Sequence, residues 1–128
     1  AVAQGISKAG VCLQIFDAAR THASYILPSL WSNKGVMIGA PTYEVKLFPP
    51  VAEALRIAVN KRIANRQAAY FGSYGWSGGG LKELKTIIEP VKWNLHSALE
   101  FVGSPSKDDL RKGEKLGQDF AEFIKSSA

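Results

Sequence analysis

The feature of this sequence that most constrains its fold is an alternation of short apolar runs with longer stretches of helical periodicity. The run GVMIG at residues 35–39 has the length of a strand and is apolar throughout, which is typical of a sheet covered on both faces. Residues 49–65 instead repeat apolar side chains at helical spacing. Because strands separated by single helices pair in parallel, the alternation predicts a doubly wound α/β fold. The length fits one domain over residues 1–128.

The same periodicities predict where the individual elements lie. Strands are expected at residues 11–16, 35–39, 68–71 and 95–102, and helices at residues 1–9, 23–31, 49–65, 81–88 and 110–124. Gly10 is expected to stop the first helix and Ser106 to cap the last, while Pro28 lies near the start of the second helix or bends it. Cys12, inside the first strand, is expected to be a small core residue.

Composition limits the classes of partner and site. The chain has 16 lysine and arginine residues against 11 acidic ones, a net charge of +5 that favours anionic partners; a basic but merely solvated surface is the alternative. These residues are scattered singly, so no nucleic acid is expected. No apolar run approaches the roughly 20 residues of a membrane span, and no signal peptide is recognised, so we expect no membrane and a cytoplasmic location. His22 and His96 are isolated, so no metal site is expected.

Two loops follow predicted strands at the edge where doubly wound folds bind ligands. They are GAPTYEVKLFPP at residues 39–50 and GSYGWSGGG at residues 72–80. In the second, glycines let the backbone approach a ligand while Tyr74 and Trp76 supply stacking faces, which fits a flat aromatic cofactor with a polar rim. The alternatives are a tight glycine turn, a Trp76 that packs on its own helix, and a Thr42 that only forms a turn.

Together the two loops resemble the flavodoxin-like domain of the flavodiiron proteins, or A-type flavoproteins. The segment GSPSKDDLRKGEKLGQDFA is similar to the last strand-to-helix segment of that family, and the resemblance covers nearly the whole chain. It implies that the domain binds FMN between the two loops. The cofactor-binding residues that it implies are Ala40, Pro41, Thr42, Tyr43, Glu44, Gly72, Ser73, Tyr74, Gly75, Trp76 and Gly79.

The resemblance also implies a role in electron transfer. Electrons are expected to pass from an acidic donor protein such as rubredoxin through FMN to a diiron centre that reduces O2 or NO. Nothing in the sequence matches the ligands of that centre, which is expected in a diiron domain of the same chain or of a partner chain, within a homo-oligomer. The alternatives are a degenerate module without flavin that serves as a structural or partner-binding domain, and, ranked lower because flavodoxins are usually acidic, a free-standing flavodoxin.

The first strand of the family, and the Ser/Thr-rich loop that cradles the FMN phosphate, have no counterpart in this sequence. The opening AVAQGISKAG resembles the second half of the helix that follows them. Because that strand is central in the order 2-1-3-4-5, we expect a slot between the strands that begin at Val11 and Gly35. We expect a strand from an upstream segment to fill the slot. The alternatives are a strand from a partner chain and direct pairing of the two strands on either side of the slot. Residues 1–128 alone are expected to hold FMN poorly.

Overall fold

The computed structural model describes residues 1–43, 46–74 and 79–127. The helices of this part of the chain are α1 Val2–Lys8, α2 Ala23–Ser32, α3 Pro49–Asn60, α4 Gly80–Ile88 and α5 Lys107–Ser126, with a 3-10 turn at Glu89–Val91. The strands are β1 Gly35–Gly39, β2 Thr42–Tyr43, β3 Lys46–Leu47, β4 Gln67–Tyr74 and β5 Asn94–Val102. The three longer strands β1, β4 and β5 alternate with α3, α4 and α5, as the sequence pattern predicts, while the short strands β2 and β3 were not predicted.

Three strands form a parallel sheet in the order β1-β4-β5. All five residues of β1 pair with Gln67–Phe71 of β4, and β4 pairs with β5 along its full length. The register shifts between Ala68 and Ala69, whose partners on β5 are Leu95 and Ser97. The short strands β2 and β3 form a separate antiparallel pair in the loop that follows β1. The predicted α/β class with parallel pairing is confirmed.

Helices pack on both faces of the sheet. The larger apolar core lies on the face that carries Ile38 of β1 and Tyr70 of β4, and it includes Leu55 of α3 and Leu84 of α4. On the opposite face, Met37 of β1 packs against Ile6, Ala9 and Ala121, which belong to α1, the residue after it, and α5. The sheet is therefore covered on both sides, which explains why β1 is apolar throughout.

Several element boundaries differ from those predicted, and local backbone geometry explains most of them. Helix α3 ends at Asn60 rather than at residue 65, because Arg62 and Asn65 have φ angles of 57° and 58°, which an α-helix cannot contain. Helix α5 begins at Lys107, directly after the predicted cap, Ser106. Strand β4 extends three residues past the predicted end at Phe71, because its pairing with β5 continues that far.

The prediction of a strand at residues 11–16 is wrong. This segment belongs to no strand, and Leu13, Ile15 and Phe16 are 36%, 73% and 37% exposed. Within the described residues, its backbone makes one recorded hydrogen bond, from the Val11 N–H to the Ile6 carbonyl. A parallel strand needs a neighbour to pair with, so an apolar run without one stays unpaired. Cys12 is exposed as well, so the expectation of a core cysteine is also wrong.

Residues 11–16 and β1 line a common cleft of about 580 Å³. Its walls are mostly apolar and include Leu13, Val36 and Met37 together with Ile124 of α5. Across the described residues, residues 11–16 do not pair with β1, so direct pairing does not close the expected slot. The cleft thus lies along the side of β1 that faces away from β4.

Candidate functional site

The loop after β1 and the end of β4 meet at the carboxyl edge of the parallel sheet. Ala40 follows β1 directly, and its N–H donates to the Phe71 carbonyl of β4 at 3.1 Å. The carbonyl of Pro41 accepts from the Phe48 N–H at 3.1 Å, which closes the small β2–β3 hairpin over the start of α3. One hydrogen bond therefore holds the start of the first loop to the neighbouring strand, and the other closes the loop on itself.

Side chains join this loop to the entry of α4. The Gly80 N–H, at the start of α4, donates to Oγ1 of Thr42 at 3.3 Å. The hydroxyl of Tyr70, on β4, donates to the Ala40 carbonyl oxygen at 3.2 Å. These contacts hold the loop after β1 against strand β4 and the start of helix α4, which flank the second loop.

Seven of the predicted cofactor-binding residues lie along this edge with both backbone and side chain described. Ala40 and Gly72 are buried, whereas Thr42, Ser73, Tyr74 and Gly79 are half-buried. Pro41 follows Ala40 and is exposed. The sequence placed residues 72–74 in the second loop, but they form the end of β4, because Tyr74 still pairs with Val102. Glu44, Gly75 and Trp76 and the side chain of Tyr43 lie outside the described residues, and their roles stay predictions.

Sequence reasoning missed Tyr70. Its side chain is completely buried, and burial, with a smaller contribution from the negative charge of Glu100, raises its pKa to about 12. The hydroxyl therefore stays protonated at neutral pH and can donate a hydrogen bond. The sequence signal for this role was a tyrosine within the run QAAYFG, a predicted buried strand. A phenol buried there needs a hydrogen-bond partner.

The groups at this edge fit the ring of FMN. Ser73 offers a hydroxyl and Tyr74 offers an aromatic face, and both residues are half-buried at this edge. A flavin ring needs uncharged donors and acceptors along its rim and a flat apolar face against it. This set supplies both, so these residues could hold the ring.

The two histidines have structural roles in the fold. Nδ1 of His22 accepts from the Ser24 N–H at 3.2 Å and so caps α2, while the His96 ring stacks on Phe123 with centroids 4.0 Å apart. In residues 1–43, 46–74 and 79–127, no three His, Cys, Asp or Glu side chains are grouped closely enough to hold a metal ion. No helix in those ranges is both long and apolar enough to span a membrane.

Comparison with known proteins identifies relatives of the chain. No protein-family model matches it. The anaerobic nitric oxide reductase flavorubredoxin of Salmonella arizonae is 32% identical over 123 residues, which are 94% of this chain and 26% of that protein. This chain therefore spans about a quarter of the length of the curated relatives that it matches.

Solved structures with the same fold are of two kinds. The metal-soaked Flv1 flavodiiron core from Synechocystis sp. PCC6803 has a TM-score of 0.88 and 26% identity, over 99% of this chain and 32% of that one. The rubredoxin oxygen:oxidoreductase from Desulfovibrio gigas has a TM-score of 0.90 and 23% identity, over 98% and 31%. A flavodoxin from the domain Archaea has a TM-score of 0.81 and 23% identity, over 97% and 85%.

These likenesses agree with what the two loops and the sheet indicate. The flavodoxin confirms the fold over almost the whole of both chains, and the flavodiiron core and the flavorubredoxin confirm the resemblance at the level of sequence. Over nearly its whole length, the chain is therefore similar to part of a flavorubredoxin and of a flavodiiron core, and it has the flavodoxin-like fold.

Proposed function

We propose that residues 1–128 act as one domain that binds FMN between the loop after β1 and the loop that joins β4 to α4, and that relays electrons within a flavodiiron-type oxidoreductase. The observation that carries this proposal is the hydrogen bond between the Gly80 N–H and Thr42 Oγ1, which joins the loop after β1 to the start of α4 at the carboxyl edge. Ligands of doubly wound folds bind at this edge. Bound FMN supplies a carrier that accepts and releases electrons one at a time.

The residues of this chain then hold and shield the ring. The backbone of Ala40, Pro41 and Gly79 lies along the edge where the rim of the ring is expected, and the Ser73 hydroxyl can donate to it. The half-buried Tyr74 offers a stacking face and excludes water from that side. We assign the same role of ring contact to Tyr43, Glu44, Gly75 and Trp76.

The partners that we propose follow from the relatives and from charge. One relative is named a flavorubredoxin and one structural neighbour a rubredoxin oxygen:oxidoreductase. We propose an acidic donor of the rubredoxin type, steered by the net charge of +5, and an acceptor diiron domain in the same or a partner chain of a homo-oligomer that reduces O2 or NO. The cytoplasm suits this role, because a free exposed thiol such as that of Cys12 stays reduced there.

Titration with FMN tests the cofactor proposal. We expect the protein, produced with every residue that its gene encodes, to bind FMN with one-to-one stoichiometry and to show flavin absorbance. Tyr74→Ala should weaken FMN binding by about three- to tenfold, because it removes a stacking contact. Trp31→Ala is the matched control, since Trp31 is an aromatic residue that is 55% exposed on α2, just before the amino end of β1.

Two results would contradict this proposal. Wild-type affinity in Tyr74→Ala would remove that side chain from the site. A wild-type protein that binds no flavin would overturn the proposal and support the alternative, a degenerate module that serves as a structural or partner-binding domain.

Salt dependence tests the proposed donor. With an acidic rubredoxin as the donor, the second-order rate of reduction should fall several-fold between about 20 and 300 mM salt, because screening removes electrostatic steering. Reduction by an uncharged chemical reductant is the control and should change little. A rate with rubredoxin that does not respond to salt would show that charge does not guide this donor to the chain.

A further inference from the structure

The hydroxyl of Tyr70 is a polar group in the middle of the main apolar core, and binding of a flavin ring does not by itself account for it. Tyr70 is 0% exposed and packs in the apolar core that residues of β4, α3 and α4 form. Its hydroxyl donates to the Ala40 carbonyl at 3.2 Å, across 30 residues of sequence. Burying a phenol costs free energy unless its hydroxyl forms a hydrogen bond. The bond to the Ala40 carbonyl therefore helps to explain why a tyrosine occupies this buried position.

The Thr42 side chain links this hydroxyl to the start of α4. Its Oγ1 accepts from the Gly80 N–H at 3.3 Å. The same side chain lies beside the Tyr70 hydroxyl, where its hydrogen-bonding capacity lowers the pKa of the phenol and so partly offsets the effect of burial. A backbone N–H can only donate and a carbonyl can only accept. In a chain of hydrogen bonds through the two hydroxyls, the Gly80 N–H therefore donates to Thr42, Thr42 donates to Tyr70, and Tyr70 donates to the Ala40 carbonyl.

Two glycines leave room for these hydroxyls. A Cβ at Gly80 would lie 2.9 Å from Oγ1 of Thr42 and 3.0 Å from the Tyr70 hydroxyl oxygen, so both oxygens pack against the same bare backbone. A Cβ at Gly72 would overlap the Tyr70 hydroxyl and the Ala40 carbonyl oxygen. Main chain therefore packs against the hydroxyls on two sides. At both positions a residue larger than glycine would collide with them.

We infer that Tyr70 and Thr42 are positioning residues, which brace the loop after β1 against the start of α4 through one directed chain of hydrogen bonds. The brace joins residues 40–42 to Gly80, the two segments on either side of the proposed ring site. Each hydroxyl both donates and accepts, which strengthens neighbouring bonds in the chain. Its effect on flavin binding rests on the proposed function, whereas the brace itself does not.

Amide hydrogen exchange of Gly80 tests the brace in the flavin-free protein. Thr42→Val keeps the shape of the side chain and removes the acceptor, so exchange at Gly80 should become about tenfold faster. Thr42→Ser retains the hydroxyl and should restore protection. Tyr70→Phe breaks the chain one bond further away and should accelerate exchange about threefold. Thr86→Val is the matched control, because the Thr86 hydroxyl bonds to Lys82 within α4 and lies outside the chain.

Flavin binding tests the positioning role. Thr42→Val and Tyr70→Phe should each weaken the binding of FMN and of riboflavin, which lacks the phosphate, by the same factor of about three to ten. Thr42→Ser should bind both with nearly wild-type affinity. Tyr25→Phe, which alters a tyrosine that is 71% exposed on α2, should bind like the wild type.

The possible outcomes separate the two hypotheses. If Gly80 exchanges at the wild-type rate in both Thr42→Val and Tyr70→Phe, the brace does not exist. If exchange becomes faster while flavin affinity is unchanged, the brace exists but does not position the ring, and that part of the inference is wrong. If the wild type binds no flavin, the proposed function fails together with the ring-positioning role, and the exchange data still decide whether the brace exists.

Discussion

Two buried aromatic residues show how single polar atoms are accommodated in this core. The indole N–H of Trp93 donates to the Ile63 carbonyl at 2.7 Å, and the Tyr70 hydroxyl donates to the Ala40 carbonyl at 3.2 Å. In both cases the partner is a backbone carbonyl that lies 30 residues away in sequence. Each residue therefore adds a specific long-range link to the non-directional apolar packing around it.

The ionisation of Tyr70 makes the stability of the chain depend on pH in the alkaline range. Its pKa is about 12 in the folded state, against 10.0 for an unperturbed tyrosine. A group whose folded pKa is raised contributes stability that is complete below the unfolded pKa and is lost as the pH rises through the folded one. We therefore expect the free energy of unfolding to decrease between pH 10 and 12.

Chemical denaturation at pH 9 and pH 11 measures this effect. Tyr70→Phe should be less stable than the wild type at pH 9 and should lose less stability on going to pH 11, because it has no phenol to ionise at this position. Tyr25→Phe is the control, since an exposed tyrosine contributes little to such a dependence. An equal loss in the wild type and in Tyr70→Phe would show that this phenol is not responsible.

Helix α5 is specified mainly by signals within its own sequence. The Ser106 hydroxyl accepts from the Asp109 N–H at 3.1 Å, and the Asp109 carboxylate accepts from the Ser106 N–H at 3.0 Å, which is a complete capping box. The hydrogen bond from the Ser106 backbone, followed by that from its side chain, lowers the pKa of Asp109. These contacts lie within four consecutive residues, which explains why the start of this helix could be predicted.

Removing the cap should destabilise the chain measurably. We expect Ser106→Ala to lower the free energy of unfolding by about 1 kcal/mol at pH 7 and to raise the pKa of Asp109 towards its ordinary value. Because the folded pKa of Asp109 is lowered, its contribution is present above the unfolded pKa and is lost as the pH falls through the folded one. Denaturation curves and an NMR titration of Asp109 measure the two effects.

The exposed Ser104, in the loop before this helix, provides the control. Ser104→Ala should leave both the stability and the Asp109 titration unchanged. A Ser106→Ala protein with wild-type stability would mean that the capping box is not formed in solution.

In the part of the chain that the structure describes, no strand pairs with the side of β1 that faces away from β4. Residues 11–16 and β1 line the cleft of about 580 Å³, and three apolar side chains of the segment, Leu13, Ile15 and Phe16, are exposed. An unpaired strand edge beside apolar surface is adhesive, so a further strand is expected to bind there. The source of such a strand, and the weak binding of FMN by residues 1–128 alone, stay predictions.

Limited proteolysis tests whether this segment is the least protected part of the chain. A protease that cleaves after leucine and aromatic residues should cut residues 1–128 first after Leu13 or Phe16, because exposed backbone without ladder hydrogen bonds opens at little cost. Replacing both residues with glutamine should remove the early cut and leave later ones unchanged. First cleavage within β4 or β5 would contradict this expectation, because it would show that residues 11–16 are better protected than the paired strands.

Most of the fold was predictable because its signals are local. Apolar periodicity, a capping serine and the glycines before α4 act over a few residues, and they gave helices α1 to α5 with boundary errors of up to five residues. The class of fold then follows from the alternation alone. The composition of the two loops likewise pointed to the carboxyl edge, where Ala40, Thr42, Gly72 and Gly79 lie together in the structure.

What sequence alone determined is therefore the position and order of the helices, because helical hydrogen bonds and caps join near neighbours. Only the tertiary structure decided which apolar runs pair as strands, since a ladder depends on a partner distant in sequence. Residues 11–16 have no partner strand among the described residues and form no strand, whereas Ser73 and Tyr74 extend β4 because β5 continues beside them. The contact of Tyr70 and Thr42 with Ala40 and Gly80 has the same origin: it exists only once parallel strands bring their carboxyl ends to one edge.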